Sequence, residues 1–201
     1  METLSTTENR ILMAQARDAL GGKWGLAIGT FFVYLVITVP VSLIPFIGWI
    51  ISILIGGSMS IGIAIFSLSV DRKQDAQLGQ IFEGFQKFNI GLGAYLLIAV
   101  FVILWMLLLI IPGIIAALSY SMTYFIIAEN DSIGSLDAIT KSKEMMHGNK
   151  WKLFCLGFRF IGWALLCILT LGIGFLWLYP YMMVSFAQFY DDIKSKETVV
   201  Q

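Results

Sequence analysis

The amino-acid sequence predicts an all-α membrane protein. Its six transmembrane helices should form three tandem hairpins, each preceded by a cytoplasmic amphipathic interfacial helix. Three long stretches, 24–70, 88–128 and 153–190, contain no Asp, Glu, Lys or Arg except Arg159. Each is about twice the ~20 residues that one membrane-spanning helix needs, so each can cross the bilayer and return. The composition agrees, because the chain is 58% hydrophobic and only 13% charged, against roughly 25% charged residues in a soluble domain.

Proline and glycine divide each apolar stretch into two predicted spans. Pro40 and Pro45 divide the first stretch, Pro112-Gly113 the second, and the segment 170–174 the third. The predicted spans are 24–44, 47–69, 89–111, 114–129, 152–170 and 174–190. The fourth and sixth are short for a full crossing, so a re-entrant or locally thinned arrangement is the second possibility.

Charged residues are confined to four islands, at 1–23, 71–87, 129–152 and 191–201. Lys or Arg occurs in every island, and basic residues in short loops favour the cytoplasmic side of a membrane. We therefore predict that all four islands and both termini are cytoplasmic, which requires an even number of spans. The whole chain, 1–201, is predicted to be one integral membrane domain of the plasma membrane.

Each of the first three islands contains an apolar stripe that is typical of an amphipathic helix. The stripes lie at 8–20, 76–88 and 132–146. Ser5 and Glu8 have the spacing of a capping box for the first helix, and Asp131 or Ser132 is available as N-cap of the third. Each stripe is followed by a Lys-aromatic pair and then by two spans, which predicts internal repeats at approximately 8–71, 74–130 and 131–193. The three pairs are Lys23-Trp24, Lys87-Phe88 and Lys150-Trp151.

These pairs and Arg159 are the candidate contacts for a lipid headgroup or another anion. Lys can snorkel and Trp prefers the headgroup level, so the favoured interpretation is that the pairs only set the depth and tilt of each helix. A shared headgroup site would require the three pairs to converge in space. An ionisable residue inside a span is by default a functional hypothesis. For Arg159, snorkelling or an ion pair with Glu129 or Asp191 is favoured over an anion contact.

Small residues that recur every fourth position predict close helix contacts. Such contacts would serve the internal bundle, which is the favoured interpretation, or a homo-oligomer. The two series are Gly21, Gly25 and Gly29, and Gly56, Ser60 and Ala64.

The sequence lacks three common catalytic or nucleotide-binding motifs: it contains no H-E-x-x-H, no G-x-S-x-G and no Walker A loop. The sole histidine, His147, has no Cys, Asp or Glu at ligand spacing. Cys155 and Cys167 would lie about 18 Å apart along one helix, which is too far for a disulfide. We predict no catalytic residue, no metal, no cofactor and no nucleic-acid partner, so the protein is predicted not to be an enzyme.

Several short segments resemble an uncharacterised bacterial integral membrane family, the domain of unknown function 975. They are ARDALGGKWGLAIG at 16–29, DAITKS at 137–142, HGNKW at 147–151, TLGIG at 170–174, Pro180-Tyr181 and FYD at 189–191. The resemblance spans roughly 10–193 and implies a multi-span protein of the bacterial plasma membrane. That family is also similar to the membrane domain of some glycerophosphodiester phosphodiesterases, and it brings no established activity or catalytic residue.

Two functions fit these observations. The leading hypothesis is a non-enzymatic membrane scaffold or accessory module whose cytoplasmic interfacial helices bind lipid, a protein partner or a second copy of the chain. The alternative is a small transporter or lipid-moving protein for an anionic or amphiphilic substrate, with Arg159 contacting the anion. The Pro and Gly breaks fall at hairpin tips, whereas secondary transporters usually have broken helices at a polar midplane site, which favours the first hypothesis.

Overall fold

The computed structural model describes residues 4–45 and 47–199, which are entirely helical or in turns and loops, with no strand among them. The all-α prediction is therefore confirmed for the described chain. The helices are α1 Asn9–Leu20, α2 Trp24–Ser42, α3 Ile47–Asp71, α4 Gln80–Glu83, α5 Phe88–Leu108, α6 Ile110–Tyr120, α7 Thr123–Glu129, α8 Ser135–Met145, α9 Lys150–Leu169 and α10 Phe175–Val199.

Within the described residues, five helical segments are long and apolar enough to cross a membrane. They are Trp24–Ser42, Ile47–Asp71, Gln80–Leu108, Ile110–Glu129 and Lys150–Leu169. This supports a helical membrane protein. Helix α10 is outside this set, since its second half carries charged residues from Asp191 onward. The sixth span, the hairpin arrangement and the three internal repeats stay predictions.

The break in the second apolar stretch lies earlier than predicted. The chain is extended at Leu109, with φ −163° and ψ 145°, so α5 ends at Leu108, four residues before Pro112. Pro112 occupies the first turn of α6, where its missing N–H is not needed by the helix. A methyl group at Gly113 would come within 2.3 Å of the Met106 side chain. The Pro-Gly pair therefore lies in the first turns of α6, close to α5, and does not form the turn between the two helices.

The break in the third stretch lies at 170–174, as predicted. Leu171 and Gly172 both have positive φ, 53° and 86°, which turns the chain sharply after α9. The Thr170 hydroxyl donates to the Cys167 carbonyl at 2.8 Å, and it accepts from the Gly174 N–H at 3.1 Å. Thr170 therefore closes α9 and holds the start of the next helix. Both cysteines, Cys155 and Cys167, are free.

The amphipathic helix predicted at 76–88 is shorter than its pattern indicates. Only Gln80–Glu83 is α-helical, and a 3₁₀ turn at Gly84–Lys87 leads directly into α5. A methyl group at Gly62 of α3 would lie 1.9 Å from the Ile81 carbonyl oxygen. Gly62 thus lets the backbone of this segment lie directly against the backbone of α3. The segment then continues into α5.

Helices are present at the other two predicted positions, but their predicted caps do not form. Helix α1 buries Leu12 and Ala16, whereas α8 buries Ala138 and Ile139. The N-cap residues are Glu8 and Gly134, and neither makes a side-chain capping bond. The predicted capping box is therefore wrong, as is the predicted N-cap of the third helix. The Ser5 N–H instead donates to Asn149 Oδ1 at 2.8 Å, and its hydroxyl donates to Asp192.

The two predicted small-residue series differ in the helix contacts that they make. A methyl group at Gly56 of α3 would lie 3.1 Å from the Tyr95 ring of α5, and at the neighbouring Gly57 it would lie 2.1 Å from the Gly91 carbonyl oxygen. At Gly25 and Gly29 of α2 it would meet no atom within 4 Å. The predicted series in α3 therefore lies at the contact with α5, although the closest approach is at Gly57, whereas the glycines of α2 make no such contact within the described chain.

Helix α10 contacts several other helices of the bundle. It packs against α1, α2, α3 and α9. Its residues contribute to both hydrophobic clusters of the core, Val184 beside Phe31 and Phe66 in one, and Phe189 in the other. Helices α1, α2 and α9 therefore share α10 as a common neighbour, and α1 contacts it at Tyr181, in its apolar half.

Candidate functional site

The four charged islands contact one another and so form one charged surface. Lys23 Nζ donates to the Gln74 carbonyl at 2.6 Å. Lys87 forms an ion pair with Asp131 at 2.7 Å, and this pairing lowers the pKa of the Asp131 carboxyl. Ser5 donates to Asp192 and thereby joins the first island to the last. These contacts hold the islands together at one side of the helical bundle.

Arg72 is the centre of an ion-pair network on this surface. Its guanidinium binds both oxygens of Asp191, at 2.8 and 2.6 Å, and also donates to Glu129. Glu129 accepts further bonds from the Tyr190 hydroxyl and from Lys194, each at 2.6 Å. The hydrogen bond to Asp191 raises the pKa of Arg72 although partial burial opposes it. The network ties together the charged ends of α3, α7 and α10.

This network corrects the predicted partners of Arg159. Glu129 and Asp191 were the carboxylates expected to pair with it, and both are bound by Arg72 instead. Arg159 lies on the exposed side of α9, in the middle of that helix.

The Lys-aromatic pairs contact separate parts of the protein. Lys87 Nζ donates to the carbonyls of Ile127 and Ala128, at 2.5 and 3.0 Å. These carbonyls belong to the last turn of α7, where a cation is favoured by the helix dipole and by unsatisfied acceptors. Lys23 binds the loop after α3, and Trp151 is 73% exposed. The first two lysines therefore hold neighbouring elements in place, and the contacts do not indicate one shared anion site.

Arg159 instead shares a cavity with two arginines that the sequence did not single out. This arginine cavity has a volume of about 500 Å³ and lies between α1, α9 and α10. Arg10 and Arg17 are two helical turns apart on one face of α1, which directs both toward it. The lining residues are Arg10, Met13, Ala14, Arg17, Asp18, Arg159 and Tyr181. The hydroxyl of Tyr181 donates to the Met13 carbonyl at 3.1 Å and so fixes α1 to α10 at this point.

The three guanidinium groups of this cavity are not used in the protein's own ion pairs. Over residues 4–45 and 47–199, no ion pair or hydrogen bond joins Arg10, Arg17 or Arg159 to another side chain. Asp18 is the one carboxylate in the lining, which leaves the cavity with a net charge of about +2. Guanidinium groups bind phosphate and carboxylate oxygens in bidentate geometry, so this arrangement is suited to an anion.

A second, apolar cavity continues from the arginine cavity. This tryptophan cavity has a volume of about 180 Å³ and shares Arg17 and Tyr181 with its neighbour. The Trp24 and Tyr181 rings lie 6.5 Å apart, which places the start of α2 beside α10. Its lining is Arg17, Trp24, Trp163, Cys167, Gly174, Trp177, Leu178 and Tyr181. We call the two cavities together the basic groove.

A third cavity of about 220 Å³ lies inside the bundle, and most of its lining is apolar. Two of its hydroxyls, on Ser60 and Ser121, donate to carbonyls of their own helices, Gly56 and Leu118, at 2.8 Å each. The hydrogen atoms of these two hydroxyls are therefore already used in bonds to nearby backbone carbonyls.

Comparison with known proteins gives one match. Residues 101–197 match the model of a family described as Protein of unknown function (DUF975), and this range is slightly less than half of the chain. No curated protein and no solved structure matches the chain. The match supports similarity to an uncharacterised family, and it includes Arg159, Trp163 and Trp177 but not α1. It does not show a relation to glycerophosphodiester phosphodiesterases.

Proposed function

We propose that this protein is a non-enzymatic integral membrane module that binds anionic lipid headgroups on its cytoplasmic face and serves as a scaffold or accessory protein there. The observation that carries the proposal is the arginine cavity, where Arg10, Arg17 and Arg159 surround a space of about 500 Å³. The protein is proposed to lie in the plasma membrane of a bacterium, as the family resemblance implies.

Contacts between the chain ends support the proposed topology. Ser5 and Thr7 both donate to Asp192, and Lys196 donates to the Thr6 hydroxyl at 2.6 Å. These contacts join the segment before α1 to the last described turns of α10, and they support an even number of crossings. Five segments are long and apolar enough to span, so α10 is proposed as the sixth, with Lys and Arg placing this side in the cytoplasm.

The magnitude of the attraction favours a lipid ligand. Each Lys or Arg near an anionic membrane surface contributes about 1 kcal/mol. Three arginines, opposed by one Asp18 carboxylate, correspond to a preference of the order of tenfold to a hundredfold for an anionic over a neutral headgroup. Arg159 begins about 10 Å along α9 from Lys152, at 1.5 Å per residue, and its long side chain can extend back toward the headgroups to meet them.

The alternative function, a small transporter or lipid-moving protein, has less support. Its substrate path would require a polar route through the bundle, whereas the lining of the internal cavity of about 220 Å³ is mostly apolar. Catalysis has less support still, because the sequence offers no motif in its favour.

Analysis of bound lipid tests the proposal. The protein is extracted from bacterial membranes in mild detergent, and the phospholipids that remain bound are quantified. We expect anionic phospholipid to be enriched over the bulk membrane, and the triple variant R10Q/R17Q/R159Q to lose this enrichment. The matched control K73Q/K141Q/K143Q removes three exposed positive charges outside the cavity and should keep it. Equal lipid composition in the wild type and the bulk membrane would contradict the proposal, and so would an equal loss in both variants.

A further inference from the structure

We infer that the basic groove holds one anionic phospholipid, with its phosphate among the three arginines and one acyl chain along the tryptophan cavity. This inference rests on the proposed lipid-binding function and specifies where and how a single lipid molecule is held.

The two cavities have the order of charge and hydrophobicity of a phospholipid. Arg159, Trp163 and Cys167 follow one another at intervals of four residues along one face of α9. They extend over about 12 Å, at 1.5 Å per residue. The guanidinium group is at the end of this row near the charged surface, and the apolar side chains continue toward the break at 170–174. A phospholipid has the matching order, with a charged headgroup followed by an apolar acyl chain.

The groove is open to the outside of the bundle. Its lining comes from α1, α9 and α10, with Trp24 at the start of α2. Trp163 and Trp177 are 55% and 50% exposed, so about half of each side chain is available to a ligand. A lipid can therefore enter sideways from the bilayer, without passing through the bundle.

The lining also favours a phospholipid over other anions. A free phosphate or an acidic peptide would use the arginine cavity alone, and it would leave the adjoining apolar space of about 180 Å³ without a role. A neutral phospholipid would fill the apolar space, but its headgroup cation would face Arg10, Arg17 and Arg159. Only an anionic phospholipid uses both cavities with complementary charge.

The tryptophans of the chain allow a direct test by fluorescence quenching with lipids brominated on their acyl chains. Trp24, Trp163 and Trp177 line the groove. A groove-reporter protein is made by W49F/W105F/W151F, which removes three exposed tryptophans outside it. A surface-reporter protein, W24F/W163F/W177F, keeps only those outside. Both are reconstituted in mixtures of phosphatidylglycerol and phosphatidylcholine in which one or the other lipid is brominated.

We expect brominated phosphatidylglycerol, at a low fraction of the bilayer, to quench the groove reporter several-fold more than an equal fraction of brominated phosphatidylcholine. The surface reporter should be quenched equally by both. Adding R10Q/R17Q/R159Q should abolish the preference, whereas adding K73Q/K141Q/K143Q should not.

Equal quenching of the groove reporter by the two lipids would overturn the inference, and so would a preference that survives the three arginine substitutions. If anionic lipid is nevertheless enriched in the purified wild type, headgroup binding stands and only the position of the lipid in the groove is wrong. If enrichment is also absent, the proposed function fails together with the inference.

Discussion

Asp192 fixes the N-terminal segment that precedes α1. It accepts hydrogen bonds from Ser5 and Thr7, and Lys152 and Lys196 lie 3.7 and 3.4 Å from its oxygens. Partial burial would raise the pKa of this carboxyl, but the two hydroxyl bonds and then the charges of Lys196 and Lys152 hold it below its usual value. The folded protein therefore favours the ionised form of Asp192.

This predicts a defined pH dependence of stability. A lowered folded-state pKa means that the contribution of Asp192 is fully present above its unfolded pKa of about 3.9 and is lost as pH falls through the folded value. The melting temperature of Asp192→Asn in detergent should therefore lie below that of the wild type at pH 7, and the difference should shrink below about pH 4. Glu144→Gln, which removes an exposed carboxylate, is the control and should show no such change. A constant difference from pH 7 to pH 3 would contradict this assignment.

The sequence identified Arg159 but not its neighbours. Arg159 is visible because it interrupts an apolar stretch, whereas Arg10 and Arg17 lie in an island that contains many charges. Their spacing of two helical turns is a signal that both share a face of α1. Which face meets α9 and α10 depends on contacts between residues far apart in sequence, such as Tyr181 with Met13, and no local pattern encodes it.

Glycine determines how the segment after α3 runs. At Gly57, Gly62 and Gly84, a methyl group would approach backbone atoms of neighbouring elements to about 2 Å. Two of these contacts, at Gly62 and Gly84, lie where the predicted helix at 76–88 is replaced by a short helix and a 3₁₀ turn. Apolar periodicity predicts which residues are buried, but it does not show that a backbone will approach this closely.

Two glycine substitutions test whether a glycine is needed for close backbone packing or only adds backbone flexibility. Gly62→Ala should destabilise the protein by about 1–3 kcal/mol, because the new methyl group must displace the backbone at Ile81. Gly29→Ala faces open space in α2 and should leave stability unchanged or raise it by up to about 1 kcal/mol. Thermal unfolding in the same detergent compares the two. If both substitutions lower stability equally, the close packing of α3 against Ile81 is not what Gly62 provides.

Along the whole chain, short charged segments alternate with long apolar segments. That alternation predicts the all-helical class and the positions of most long helices, since both follow from hydropathy along the chain. The break at Leu109 differs from prediction because proline is accepted in the first turn of a helix. The number of crossings depends on α10, whose apolar part is followed by charged residues that contact the N-terminal segment.

Cysteine labelling tests whether α10 crosses the membrane. In a C155A/C167A background, Ile173→Cys places a thiol in the loop before α10 and Ser195→Cys places one near its end. A membrane-impermeant maleimide should label the first in intact cells and the second only after permeabilisation. Labelling of both from the same side would show that α10 does not cross, and the proposed six-span topology would then be wrong.

The arginine cavity is proposed to bind an anionic lipid through Arg10, Arg17 and Arg159, which pair with no side chain among residues 4–45 and 47–199. Native mass spectrometry of the detergent-solubilised protein, titrated with phosphatidylglycerol, measures the affinity of the first bound lipid. We expect R10Q/R17Q/R159Q to bind this lipid at least tenfold more weakly than the wild type, whereas K73Q/K141Q/K143Q should bind it with wild-type affinity. Equal affinity in the wild type and the arginine variant would contradict it.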